Sequence, residues 1–170
     1  SELNERLDLY KMAMSIICTI RGIPQIYYGT EIAMSSSSDH GELRKDFPGG
    51  WPDDEKDAFT GNGLNEIELE AQSYLKKLLN WRKGNLAIAK GDLVHYPVKD
   101  NVYVYFRNYQ KNLVMVIVNN SERAKTVYPN QYNEIIKGRT KGVNIINDRL
   151  HYLLREINIS GKSTMILEIH

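Results

Sequence analysis

Apolar residues Leu3, Leu7, Tyr10, Met14 and Ile17 recur at helical spacing and predict an amphipathic helix over the first twenty residues. Arg21-Gly22 supplies a basic last turn and a helix-ending glycine, and Pro24 blocks continuation. Ile23 to Tyr28 is β-branched and aromatic and stops at Gly29, which predicts a short buried strand ending in a sharp turn. Ser35 to Asn65 is then rich in Gly, Ser, Asp and Pro. A loop of that length tends to be functional when it is ordered. Asn65 with Glu68 forms a capping box, and Leu75, Leu78, Leu79 and Arg82 continue a second helix that Gly84 ends.

From about Leu86 the apolar period changes from 3.6 to 2. Leu93 to Val98, Val102 to Arg107, Leu113 to Asn119, Ala124 to Tyr128, Val143 to Ile146, Glu156 to Ile159 and Thr164 to Ile169 read as strands. Turn residues such as Lys99-Asp100-Asn101 and Ser160-Gly161-Lys162 separate them. The expectation is an α+β chain in two parts. Residues 1–85 form helix, strand, long loop and helix, and residues 86–170 form an all-β antiparallel sandwich or Greek-key module. Tyr103 and Tyr105 share one face of their strand, either as a sugar-binding platform or as a cover for the helical part.

Composition narrows the classes. At 42% hydrophobic and 25% charged, the chain resembles ordinary globular proteins rather than disordered ones. Its longest apolar runs are far shorter than the ~20 residues of a membrane-spanning helix. A net charge of +1, with both signs scattered, argues against a nucleic-acid partner. The single cysteine, Cys18, lies in an apolar helical stretch and reads as a small buried side chain. The chain opens inside an amphipathic pattern without an initiator Met or signal peptide, so a piece of a longer protein is expected.

The segment Arg21-Gly22-Ile23-Pro24-Gln25-Ile26-Tyr27-Tyr28-Gly29-Thr30-Glu31 resembles the α-amylase superfamily pattern G-x-P-x-x-Y-Y-G-x-E, with Gly22, Pro24, Tyr27, Tyr28, Gly29 and Glu31 in place. In that family the pattern covers the last strand of the catalytic β/α (TIM) barrel, and an all-β domain follows the final barrel helix. Arg44-Lys45-Asp46-Phe47-Pro48-Gly49-Gly50-Trp51 resembles a loop of the neopullulanase and cyclomaltodextrinase group, especially the Bacteroides-type starch-utilisation enzymes.

The resemblance implies the C-terminal part of a retaining α-glucan hydrolase, whose partners would be α-glucan oligosaccharides. A Bacteroides-type relative would be periplasmic. The catalytic carboxylates would come from barrel strands preceding Ser1, so no catalytic residue, metal ligand or cofactor site is expected within this chain. Asp53-Asp54-Glu55 and Glu66, Glu68 and Glu70 read as a solvated loop and a helical face, and His40 beside Asp39 is not taken as an acid–base pair. Asp39 and Arg44 match loop residues that contact glucose hydroxyls, or else they form a loop ion pair. Trp51 either stacks on a sugar or pins the loop. The competing reading is a non-catalytic carbohydrate-binding or interaction module, self-associating through an exposed barrel remnant.

Overall fold

A computed structural model describes residues 2–36, 41 and 44–170, with side chains described from residue 4 onward. The first helix, α1, spans Glu2–Thr19. Its buried face carries Leu7, Met12, Met14 and Cys18, together with the polar Ser15 and Thr19. Both hydroxyls are satisfied within the protein. Ser15 Oγ lies 2.6 Å from Tyr74 Oη, and Thr19 Oγ1 lies 2.6 Å from Tyr105 Oη. Ile17, expected on the buried stripe, is exposed.

The second helix, α2, spans Glu66–Gly84, and its capping box forms as the sequence predicts. Glu68 N donates to Asn65 Oδ1 at 3.0 Å, and Asn65 N donates to Glu68 Oε2 at 2.8 Å. Ala71, Leu75 and Leu78 are its buried stripe, at i, i+4 and i+7. Gly84 is still helical, and the stop falls at Asn85. Asn85 also caps α3, Leu86–Lys90, by accepting from Ile88 N at 3.0 Å. This short helix falls where the apolar alternation suggested that the β region had begun.

The strands are β1 (Asp92–His95), β2 (Val102–Tyr109), β3 (Asn112–Asn119), β4 (Lys125–Val127), β5 (Lys141–Asn144), β6 (Leu150–Tyr152), β7 (Ile157–Ile159) and β8 (Ser163–Ile169). They form a six-stranded sheet in the order β1-β2-β3-β8-β5-β6 and a two-stranded sheet β4-β7, with every pairing antiparallel. The all-β expectation holds for the sheet, but the second layer is thinner than a full sandwich. It is completed by a helical turn at Pro129–Tyr132 and a fourth helix, α4, Asn133–Ile136. Neither α4 nor β6 is visible as a period in the sequence.

The large sheet separates two cores. On one face Tyr105, Val114, Val116, Val118 and Ile166 meet α1, α2 and α3. On the other Val104, Phe106, Leu113, Met115, Ile117 and Leu167 meet β4, β7 and α4. Strands β2, β3 and β8 therefore read as nearly continuous apolar runs, as expected for strands covered on both faces.

One expected element is absent. Ile23 to Tyr28 forms no strand and pairs with none among the described residues, and it is not buried. Ile23 is 94% exposed and Tyr27 is 62% exposed. A buried parallel strand requires a hydrogen-bonded neighbour on each side, and the described residues provide neither.

Candidate functional site

The site is assembled at the end of α1. Arg82 on α2 donates from Nη1 to Cys18 O at 2.6 Å and from Nη2 to Gly22 O at 2.9 Å, so the chain leaves α1 in a fixed direction. Residues 23–26 then lead, outside any helix or strand, to Tyr27 and Tyr28. These two rings lie 4.6 Å apart at an interplanar angle of 43°. Gly29 follows with φ of 84°, the left-handed conformation that lets its carbonyl accept from Met34 N at 2.9 Å. A hollow of about 190 Å³ lies between the tyrosines and residues 34–36.

The long loop crosses this region. Tyr28 Oη donates to Lys45 O at 3.0 Å. Burial of the phenol, the neighbouring Tyr27 and the Asp46 carboxylate push the Tyr28 pKa up, whereas the Arg44 guanidinium opposes the rise. Tyr27, Tyr28, Arg44 and Asp46 therefore share one electrostatic neighbourhood, and Arg44 is exposed within it. Asp39 and His40 lie outside the described residues. Tyr10 Oη and Glu31 Oε2 are both buried without a hydrogen-bond partner among the described residues. Burial first, and then the Glu31 charge, raise the Tyr10 pKa to about 12.

Trp51 stands in a tight turn and is 65% exposed. Asp54 holds the turn, its Oδ2 accepting from Gly49 N at 2.7 Å and Trp51 N at 3.0 Å. Gly49 has φ of 102°, and a Cβ there would come within 2.5 Å of Asp57 Oδ1. Three of the six acidic residues read as solvated also have structural partners. Asp54 shapes the turn, Glu68 caps α2 and binds Lys56 at 2.8 Å, and Glu70 pairs with Lys11.

Asp57 accepts from Thr60 Oγ1 at 2.8 Å and from Phe59 N at 2.8 Å. The Thr60 hydroxyl foremost, then the Phe59 amide, hold its carboxyl below the usual range. A depressed folded pKa adds stability above the unfolded value and loses it as pH falls through the folded one. Asp57→Asn is therefore expected to cost stability near pH 7 and much less near pH 3, as read from urea midpoints at the two pH values. Equal costs at both would remove the ionised carboxylate from the account.

The aromatic face of β2 is not an open platform. Tyr105 is fully buried with its hydroxyl on Thr19, and Tyr103 packs beside it with ring centroids 5.2 Å apart. This face covers the helical part. Among the described residues no group of three or more His, Cys, Asp or Glu side chains is arranged to hold a metal ion, and no helix is long and apolar enough to cross a membrane.

Residues 93–168 match the family model of the cyclo-malto-dextrinase C-terminal domain. A cyclomaltodextrin glucanotransferase of Geobacillus stearothermophilus is 34% identical over 112 residues, covering 65% of this chain and 13% of that protein. A second, from Paenibacillus macerans, is 33% identical over 119 residues, covering 70% and 14%. The alpha-amylase of Geobacillus thermoleovorans, solved with acarbose, superposes with a TM-score of 0.71 at 22% identity, over 96% of this chain and 33% of that one.

The fold, the tyrosine motif and these likenesses make the chain a C-terminal region of the α-amylase superfamily. More particularly, its β-sheet part carries the cyclo-malto-dextrinase C-terminal domain. The chain spans only 13% and 14% of the length of these two glucanotransferases.

Proposed function

We propose that residues 1–85 close a catalytic β/α barrel, that residues 86–170 are the domain following it, and that Tyr27, Tyr28 and Arg44 line one wall of an α-glucan site. The observation that carries this reading is the exposed tyrosine pair, with Tyr28 hydrogen-bonded to the loop at Lys45, between Arg44 and Asp46. Aromatic rings stack on sugar faces, and a guanidinium–carboxylate pair can read hydroxyl directions through charge-assisted hydrogen bonds. The exposed Ile17, Ile23 and Tyr27, with the orphaned Tyr10 Oη and Glu31 Oε2 nearby, favour further barrel polypeptide docking here rather than self-association.

The reaction is hydrolysis of α-1,4-glucosidic bonds with retention, of the neopullulanase or cyclomaltodextrinase type. It needs a nucleophilic carboxylate and an acid–base carboxyl about 5–5.5 Å apart, both supplied by the barrel outside this chain. Arg44 and Trp51 contribute to holding substrate, with Asp39 as a third contact. A second reading, glycosyl transfer to a sugar hydroxyl instead of water, is favoured by the likeness to two cyclomaltodextrin glucanotransferases. Product analysis of the intact protein on maltoheptaose, pullulan and β-cyclodextrin separates the two. Linear short oligosaccharides mark hydrolysis, cyclic or lengthened products mark transfer, and no turnover of any of them removes both.

In the intact protein, Arg44→Ala is expected to cost about 1–3 kcal/mol in kcat/KM for maltooligosaccharides, the scale of a lost charged hydrogen bond. An unchanged kcat/KM would reduce Arg44 to a support for its loop.

A further inference from the structure

A helix leaves its last four carbonyls without intrahelical donors, and a left-handed glycine commonly turns the chain back to satisfy them. The end of α1 has such a glycine, Gly22 at φ 112°, yet its final carbonyls, Cys18 O and Thr19 O, are taken by two arginines from distant elements. Arg82 takes Cys18 O and Gly22 O. Arg107, on β2, donates from Nη1 to Thr19 O at 2.8 Å and Ile20 O at 3.0 Å, and from Nη2 to Ile88 O at 2.9 Å and Gly91 O at 2.8 Å. One guanidinium thus joins the carbonyl ends of α1 and α3, where the helix dipoles favour a cation. Tyr105, two residues earlier on the same strand face, holds the Thr19 side chain.

Arg107 is only 3% exposed, and none of its four hydrogen-bond acceptors is a carboxylate. Burying a charge is costly, and a well-packed apolar side chain often serves stability equally well. What an apolar side chain cannot do is fix the directions of carbonyls on two helix ends. The segment aimed by this joint is Ile23 to Gly29. Fully extended, it carries the tyrosine pair only about 20 Å from Gly22, at ~3.3 Å per residue.

We propose that Arg82 and Arg107 are positioning residues: they transmit the seating of the β-sheet against α1 to the Tyr27–Tyr28 segment and so set how tightly the site holds sugar. The inference rests on the glucan-site reading above, and the test separates the two.

In the intact protein, Arg82→Gln and Arg107→Lys are compared with wild type by amide hydrogen exchange and by steady-state kinetics on maltoheptaose. The expected result is exchange at residues 20–30 accelerated about tenfold or more, with residues 112–119 unchanged. In the same variants KM should rise about fivefold or more while kcat stays within about twofold, the pattern of lost uniform binding. A merely structural role would lower the active fraction, and so the apparent kcat, without moving KM. Unchanged exchange at 20–30, equal acceleration at 112–119, or faster exchange with unchanged KM would each overturn the proposal. If Arg107→Lys does not fold, the half-buried Arg82 decides the question through Arg82→Gln. If the wild-type protein turns over no glucan, the functional reading falls, and the proposal falls with it even where the exchange result is as expected.

Discussion

Replacing Phe106 by Ala is expected to destabilise the β-region by about 3–5 kcal/mol, the cost of emptying a large core site. Phe106 is fully buried in the core between the large sheet and the two-stranded layer. Its ring lies 6.0 Å from that of Tyr96 and 5.6 Å from that of Tyr132, and those two are 4.6 Å apart. The three rings join β2, the stretch after β1 and the helical turn before α4, so the void would lie where three elements meet. Whole-domain stabilities are about 5–15 kcal/mol, so the variant should sit near the edge of folding. Urea unfolding checks this: the midpoint should fall with little change in slope. A loss under about 1 kcal/mol would mean that the site collapses around the deletion.

Asn119 is the second sensitive point, for a polar reason. It is fully buried at the end of β3. Its Nδ2 donates to Arg123 O at 2.9 Å, Ser160 O at 2.8 Å and Ile159 O at 3.3 Å, while Oδ1 accepts from Ser121 N at 3.0 Å and Ser121 Oγ at 2.8 Å. One amide therefore ties the crossing into β4 to the crossing from β7 into β8. Asn119→Ala leaves buried backbone groups unpaired and is expected to cost about 2–4 kcal/mol. Asn119→Asp should be worse at neutral pH, because a carboxylate would face carbonyl oxygens. Its folded pKa would be raised, so the variant should recover stability as pH falls. Denaturant midpoints of the Asp variant at two pH values test that sign. Equal midpoints would mean that the donor side of Asn119 contributes little.

Legibility in the sequence followed the range of the interactions concerned. The Asn65–Glu68 box was readable because both partners lie within one turn, and the stripe Ala71, Leu75 and Leu78 because burial and helical period coincide. The strands β2, β3 and β8 were readable from alternation and apolar content. Ile23 to Tyr28 has strand composition, yet a strand exists only with neighbours that lie elsewhere in the chain or beyond it. The helix α3 was hidden because one residue, Asn85, ends one helix and starts the next within a short apolar stretch.

At the site, the sequence offered the tyrosine pair as part of a barrel-end motif and Arg44 through a loop resemblance, and the Tyr28–Lys45 hydrogen bond is what brings that loop against the pair. The joint at Arg107 was invisible. A charged residue within an alternating strand reads as solvent-facing, and only the fold shows carbonyls from α1 and α3 converging on it. The signal available was an Arg at i+2 from a buried tyrosine on the same face.

The order β1-β2-β3-β8-β5-β6 sets a timetable for synthesis. β8 pairs with β3 on one side and β5 on the other, so β5 and β6 can only join the large sheet through a strand made after them. A ribosome that has released residues up to 160 holds a three-stranded meander and a detached hairpin, with apolar faces such as Met115 and Ile117 only partly covered. Closure must await residues 163–169, and the interval before it is when the nascent chain is most exposed to wrong pairing.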